Sequence, residues 1–260
     1  MKNLMEWHFS VQQGMYFDKR VEAENYIVYS SDIITDGFWN YAFLKNCDSF
    51  DSILSLIEKD FKVLHRSPCI YLLDDSYFEQ RSKILLKHGY EPLSEESFML
   101  IENNTPEICP KADLIICRVT TDKVATDFID VFTSAYGGEK TPEQPYGELD
   151  KTYIDAISRT FSDNEKFFHY VCYDKEAPVS IATLCFLNGK GGLYNVGTSP
   201  SARGKGYGTV ASKACIDMWK KLSGSDLFLQ TETGSLVEKW YYSLGFKLQF
   251  IGRTFTKEIN

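Results

Sequence analysis

The chain has 260 residues, of which 43% are apolar and 25% charged, and its 16 Tyr and 18 Phe make it rich in aromatic rings. This is the profile of a globular protein long enough for one large core or two small ones. A net charge of −8 excludes a broad nucleic-acid footprint, because phosphate backbones are held by clustered Lys and Arg.

The charge is unevenly shared. Residues 1–105 carry 10 basic against 17 acidic side chains, and residues 106–260 carry 18 against 19. The second half therefore does not repel an anionic ligand. Seven cysteines without a C-x-x-C pair read as reduced thiols of a cytoplasmic protein, with no disulfide framework and no metal site. The first ten residues lack the apolar core of a signal peptide, and no apolar run reaches the length of a membrane span, so no membrane partner is expected.

In chain order, residues 1–48 hold short aromatic and β-branched runs, such as Tyr26–Tyr29 and Phe38–Leu44, which read as strands. Ile53, Leu54, Ile57, Phe61 and Leu64 recur at helical spacing. Cys69–Leu73 reads as a buried strand, a helix follows over about Tyr77–Lys87, and Gly89 ends it. A hairpin-like tail runs to Ile101. The polar, proline-bearing segment from Asn103 to Pro110 reads as a linker, which divides the chain into 1–105, a connection at 106–113, and 114–260.

The second half opens with a strand at Leu114–Val119 and a helix at about Asp122–Ala135. The long loop from Gly137 to Glu148 is a candidate substrate lid and as readily a plain surface excursion. A helix over about Lys151–Phe161 precedes strands at Phe167–Tyr173, Val179–Leu187 and Gly192–Thr198. Beyond the glycine-rich loop described below come a helix, a strand at Asp226–Glu232, a helix at about Ser235–Ser243 and a final pair of strands. The halves repeat at an offset of 156 residues: Tyr71-Leu72-Leu73 lies over Leu227-Phe228-Leu229, Lys83 over Lys239, and Gly89-Tyr90 over Gly245-Phe246, without a gap.

The densest signal is Val196-Gly197-Thr198-Ser199-Pro200-Ser201-Ala202-Arg203-Gly204-Lys205-Gly206-Tyr207-Gly208-Thr209. Gly204, Gly206 and Gly208 let the backbone turn left-handed and approach a bulky polyanion. Arg203 and Lys205 add charge. Ala211, Cys215, Met218 and Leu222 mark the helix that follows, whose first turn offers unpaired N–H groups to a phosphate.

Together with Trp240-Tyr241-Tyr242-Ser243-Leu244-Gly245-Phe246, this stretch resembles the GNAT superfamily of acetyl-CoA-dependent N-acetyltransferases. The pattern Arg203-Gly204-x-Gly206 is similar to the family's pyrophosphate-binding segment, and Tyr241 to Phe246 to its Tyr-x-x-Leu-Gly-Phe segment. The resemblance covers roughly residues 114–260, and the first half looks like a degenerate copy. It implies an α/β fold of two tandem units, each with a mixed, mostly antiparallel sheet flanked by helices.

The resemblance also implies roles. Backbone groups of Val196, Gly197 and Thr198 would take the pantetheine arm of acetyl-CoA as an added strand. Arg203, Gly204, Lys205, Gly206, Tyr207, Gly208 and Thr209 would hold its pyrophosphate. Tyr241 would protonate the departing thiolate, and Tyr242 is its neighbour rival. Glu232 is the candidate base for the attacking amine, and as readily a solvated strand-end carboxylate. Gly234 stands where the family often has Asn, and no carboxylate lies on Gly192–Thr198. In the first half Leu85 stands at the position of Tyr241, and Cys47 to Ser52 replaces the glycine loop.

The expected acceptor is a primary amine of a small molecule or peptide. The acidic first half together with Glu139, Glu143 and Glu148 favours a cationic one, and a homodimer is left open. Two other readings fit parts of the sequence. One is a non-catalytic sensor of acyl-CoA. The other is a nicotinamide-dinucleotide site at Gly206-x-Gly208, against which stand the residues Ser199 to Lys205 between strand and glycines.

Overall fold

The computed structural model describes residues 2–45, 50–101, 114–138 and 148–258. The linker segment 106–113 and most of the lid segment, including Glu139 and Glu143, lie outside the described residues. The first half comprises helix α1 (Lys2–Gln12), strands β1 (Lys19–Glu22), β2 (Tyr26–Ser30) and β3 (Tyr41–Leu44), helix α2 (Phe50–Val63), strand β4 (Cys69–Leu73), helix α3 (Phe78–Lys87) and strand β5 (Glu91–Ile101). The second half begins with β6 (Leu114–Arg118), α4 (Asp122–Tyr136) and α5 (Lys151–Ser158). It continues through β7 (Phe167–Asp174), β8 (Ala177–Leu187), β9 (Lys190–Thr198), α6 (Tyr207–Lys221), β10 (Asp226–Glu232), α7 (Leu236–Ser243) and β11 (Phe246–Thr256).

Local chemistry explains several boundaries. Thr121 caps α4 by accepting from the Val124 amide. Ser235 caps α7 by accepting from the Glu238 amide, and the Glu238 carboxylate accepts from Gly234 N at 2.7 Å, which fixes the turn into the helix. The run Leu4, Met5, His8, Phe9 and Gln12 is buried. This spacing is helical, so the strand reading of residues 1–48 fails for its first twelve residues, where the periodicity of four outweighs the aromatic content.

All strands join one sheet in the order β1-β2-β3-β4-β11-β5-β10-β9-β8-β7-β6. Residues along β7 and β8 alternate between its faces. Phe167, Val171, Ile181 and Cys185 pack with α1, α4 and α5, whereas Phe168, Tyr170, Ala182 and Leu184 pack with α6 and α7.

The centre of the sheet is an exchange. β11 lies between β4 and β5, and β5 lies between β11 and β10, so each half gives its last strand to the other half's sheet. The expected hairpins at the two ends are therefore single strands of 11 residues each. A second strand does stand beside each of them, and it comes from the other half.

The pairing of β5 with β11 is two-fold symmetric. Glu96 faces Gly252, Ser97 faces Ile251 and Glu95 faces Arg253. Gly252, Ile251 and Arg253 follow Glu96, Glu95 and Ser97 by 156 residues, so swapping the halves maps the ladder onto itself. Even the bulges obey the axis, because the extra residues Leu93 and Gln249 are also 156 apart. The axis passes through the Glu96–Gly252 pair.

Strands β4 and β10 break the ungapped repeat. Cys69 faces Thr256, and Phe228 faces Leu100. Since Thr256 follows Leu100 by 156 residues, Cys69 and Phe228 are the equivalent pair, 159 residues apart. Three residues separate the sequence alignment from the structural one.

Candidate active site

β9 and β10 run parallel for three rungs only, ending at Gly192 with Phe228. Beyond them β9 continues to Thr198 and β10 to Glu232 without further pairing. Two unpaired strand edges thus face each other across an opening, the geometry that accepts an extended polar chain as an extra strand.

A bulge turns β9 at this point. Ile181 faces Gly197 while Thr183 faces Tyr194, so Asn195 and Val196 together oppose Ala182, and Asn195 has φ +51°. Its side chain secures this uncommon conformation, accepting from Tyr16 Oη at 2.5 Å and donating to Thr183 Oγ1 at 3.1 Å. The Ser199 amide donates to Val179 O, which turns the main-chain groups of Val196 and Thr198 towards the opening by strand alternation. The Val196 carbonyl already accepts from Tyr136 Oη at 2.8 Å.

The glycine loop follows immediately. Gly204 and Gly206 have φ +76° and +86°, and a Cβ at either would meet nothing within 4 Å. Backbone conformation rather than crowding therefore demands glycine there. Gly206 caps α6 without a side chain, so the first amides of the helix are left for a ligand. Gly208 and Thr209 lie in that first turn against Trp240, whose Nε1 donates to Thr209 Oγ1 at 3.2 Å.

The two cations differ in use. Arg203 is exposed, yet its guanidinium donates to Thr198 O at 3.3 Å and to Ala135 O at 3.1 Å, which ties the loop to β9 and α4. Lys205 is exposed on the loop. Tyr207 is buried and donates to Asp174, and that bond raises its phenol pKa. Its hydroxyl serves the scaffold.

Tyr241 is 6% exposed and packs on Trp240 and Phe246, with ring centroids 4.7 and 5.7 Å apart. Tyr242 is 44% exposed. Of the two, Tyr241 is the one turned into the layer that holds Leu193, Leu229 and α6. Through Trp240 it stands beside the glycine loop. Glu232 ends β10 exposed, facing Glu96 in register.

The two halves share an aromatic floor that no local motif marks. Tyr16 stacks on Trp39 at 4.3 Å, Trp39 Nε1 donates to Tyr153 Oη at 3.1 Å, and Tyr153 donates to Asp36 at 2.5 Å. Burial raises the Asp36 carboxyl pKa, against the bond from Tyr153. His8 donates to or accepts from Tyr194 Oη at 3.0 Å, and burial lowers its pKa to about 3. Nothing in the local sequence around Tyr16, Trp39 and Tyr153 brings them together, because they meet only when α1 docks on the second half.

Among the described residues no group of three or more His, Cys, Asp or Glu could hold a metal ion, and no helix is long and apolar enough to cross a membrane.

Residues 128–246 match the model of the acetyltransferase (GNAT) family. That segment contains the opening, the glycine loop and Tyr241. The whole chain superposes on a GCN5-related N-acetyltransferase from Kribbella flavida with a TM-score of 0.71 at 16% identity, covering 98% of this chain and 95% of that one. A functionally unknown conserved protein from Staphylococcus epidermidis gives 0.70 at 14% identity, with 95% and 96% covered. A tandem GNAT protein from the clavulanic acid biosynthesis pathway gives 0.58 at 10% identity, with 90% and 79% covered. At these identities the likeness is one of fold. No curated protein sequence matches the chain.

Proposed function

We propose that the protein is an acetyl-CoA-dependent N-acetyltransferase acting on a primary amine of a small molecule or peptide. One observation carries the reading: the β9–β10 pairing ends at Gly192 and Phe228, and the glycine loop with its uncapped helix begins where β9 stops. An elongated ligand with a diphosphate at one end fits that order. The amides of residues 203–209 would hold the diphosphate, with Lys205 adding charge. The edge of β9 that no strand covers, at Val196 and Thr198, would align the pantetheine arm through its amides, since Tyr136 and Arg203 already engage the two carbonyls.

Bound acetyl-CoA supplies an acetyl thioester open to attack by an amine. The chain's own groups position that carbon and move protons. A β9 amide near Val196 steadies developing charge on the carbonyl oxygen, an arrangement worth several kcal/mol in a water-poor site. Tyr241 donates its hydroxyl proton to the leaving sulfur. Glu232 is the sequence's candidate for taking the amine's proton. The first half, in this reading, binds no coenzyme and walls the acceptor cleft with Tyr16, Asp36 and Trp39.

The test is thiol release from acetyl-CoA with a panel of primary amines. Tyr241→Phe is expected to lower kcat by about 100-fold with the KM for acetyl-CoA nearly unchanged. An unaltered kcat removes Tyr241 from the acid role. Tight coenzyme binding without release from any amine favours the sensor.

A further inference from the structure

The strand exchange carries a first-half carboxylate to the edge of the second half's opening. Gln230 stands on β10 two residues past the last rung to β9, and its Nε2 donates to Oε2 of Glu96 on β5. Strand alternation puts both on the face of Phe98 and Phe228, where Phe228 meets the Tyr194 ring of β9 at 6.3 Å. Glu96 is 4% exposed, and its second oxygen, Oε1, has no hydrogen-bond partner among the described residues.

A carboxylate kept for structure has both oxygens engaged, because a buried polar atom left alone is costly. Glu96 departs from that rule one strand in from the opening, with Tyr71 and Ser94 its other polar neighbours. Burial pushes its carboxyl up to about 7, against the lowering effect of Ser94, Gln230 and Tyr71. The other groups facing it are Tyr41 on β3, Cys69 on β4 and Glu232 across the ladder. From α1, His8 packs on the neighbouring Phe98 at 5.3 Å and is held neutral by burial. None of these is a cation.

Glu96 also has an outward path. Tyr71, Tyr41 and Tyr29 follow at ring-centroid distances of 5.1 and 5.6 Å with buried hydroxyls, that of Tyr71 turned to Glu96 and that of Tyr29 to Glu6 and Arg20, and none in a well-formed hydrogen bond among the described residues. Such oxygens are normally satisfied by internal water. The row ends at Tyr29, beside the surface pair of Arg20 and Glu6 at 2.9 Å.

We propose that Glu96, contributed by the first half, and not Glu232, accepts the proton of the acceptor amine. The N–H bond of the ammonium breaks with its proton passing to Oε1, directly or through one water, and its electron pair stays on nitrogen. That pair forms the N–C bond to the acetyl carbon as the C–S bond breaks, the sulfur takes the proton of Tyr241, and the nitrogen's surplus proton then returns through water to the Tyr241 phenolate, leaving a neutral amide. The inference rests on the acyl-transfer reading above.

The test uses the full chain, as wild type and as Glu96→Gln, Glu96→Asp and Glu232→Gln. Thiol release from acetyl-CoA is followed against pH with spermidine, glucosamine and a lysyl peptide as amines, and coenzyme A affinity is measured by calorimetry. Without any ligand, the melting temperature of Glu96→Gln should exceed that of wild type at pH 8 and lose this advantage at pH 5. In turnover, wild type should show a limb near pH 7, and Glu96→Gln should lose the limb and at least 100-fold in kcat with coenzyme A affinity intact. Glu232→Gln should keep the limb.

A Glu96→Gln protein with wild-type turnover and limb overturns the proposal, as does loss of the limb in Glu232→Gln instead. If Glu96→Gln fails to bind coenzyme A, Glu96→Asp decides: reduced kcat with the limb retained supports the role, and undiminished kcat refutes it. A wild type that binds the coenzyme yet releases no thiol from any amine defeats the acyl-transfer reading itself, an outcome distinct from the others.

Discussion

The two halves share the series of three strands, helix, strand, helix, strand, yet they treat the gap between the third and fourth strands differently. In the second half β9 and β10 part after three rungs and lead to glycines with positive φ. In the first half β3 and β4 also part, after two rungs at Ala42 with Ile70 and Phe43 with Tyr71, but no glycine with positive φ follows among the described residues up to α2. The space beside them is a cavity of about 20 Å³, lined by Phe43, Leu44, Tyr71, Leu72, Leu73, Asp75 and Arg81. That is room for one water. Side chains fill what the other half leaves open, with the buried Arg81 guanidinium held 3.5 Å from Asp75. One backbone plan thus gives a ligand opening or a plugged core according to side-chain volume at the parting strands and the presence of glycine after them. The plugged half still matters, because it supplies β5.

The comparison breaks most sharply if the halves are separated. A chain of residues 106–260 lacks β5, which lies between β10 and β11, and buries neither Phe98 nor Met99, both 0% exposed in the whole protein. It is expected to show no cooperative unfolding by circular dichroism and no heat with coenzyme A. Supplying residues 1–105 in trans should restore both. A truncated chain that folds and binds alone would show that the exchange is dispensable.

A smaller effect sharpens the contrast at the loop. Gly206→Val forces a β-branched residue into φ +86° with open space around it, so strain, about 1–2 kcal/mol, is the main cost. Coenzyme A affinity should fall roughly 10-fold or more as the first amides of α6 turn away, while the melting temperature moves by only a few degrees. A calorimetric titration reads the change. The same experiment on Ser52 of the first half should leave affinity unaltered.

The smallest effect concerns pH. His8 and His169 are buried, and burial lowers both to about 3 from 6.5. A depressed folded-state value means that the stability from the neutral rings is complete above pH 6.5 and is lost as pH falls towards 3. Each contributes a slope of about 1.4 kcal/mol per pH unit in that window. Denaturant titrations at pH 7, 6 and 5 measure it, and because the raised Glu96 carboxyl contributes a slope of opposite sign in this range, replacing His169 by Gln should remove most of the net slope. An unchanged slope would place the acid sensitivity elsewhere.

What could be read from the sequence follows a physical line. The glycine loop, α6 and the Tyr241 segment are local features, because φ preference, helix periodicity and capping act within a few residues. They appear where expected. α1 carried its own signal in the spacing of Leu4, Met5, His8 and Phe9, hidden by the weight given to aromatic residues in a short window. The ends of the halves were illegible for a deeper reason: a long strand followed by polar residues looks like half of a hairpin, and nothing within it says that its partner lies 156 residues away. Glu96 was overlooked on the same ground. In sequence it is one of two adjacent acids, Glu95 and Glu96, and only the pleat decides that Glu95 meets Arg253 at the surface while Glu96 is buried beside Gln230.

The exchanged strands also set a timetable for synthesis. The residues paired across β5 and β11 are between 145 and 165 positions apart, so β5 leaves the ribosome long before the strand that will flank it exists. Until β11 is released, β4 and β5 each expose an unpaired edge, the kind of surface that nucleates aggregation. Maturation is therefore expected to be post-translational and slow, with nascent chains dependent on holdase chaperones until the C-terminal strand closes the sheet.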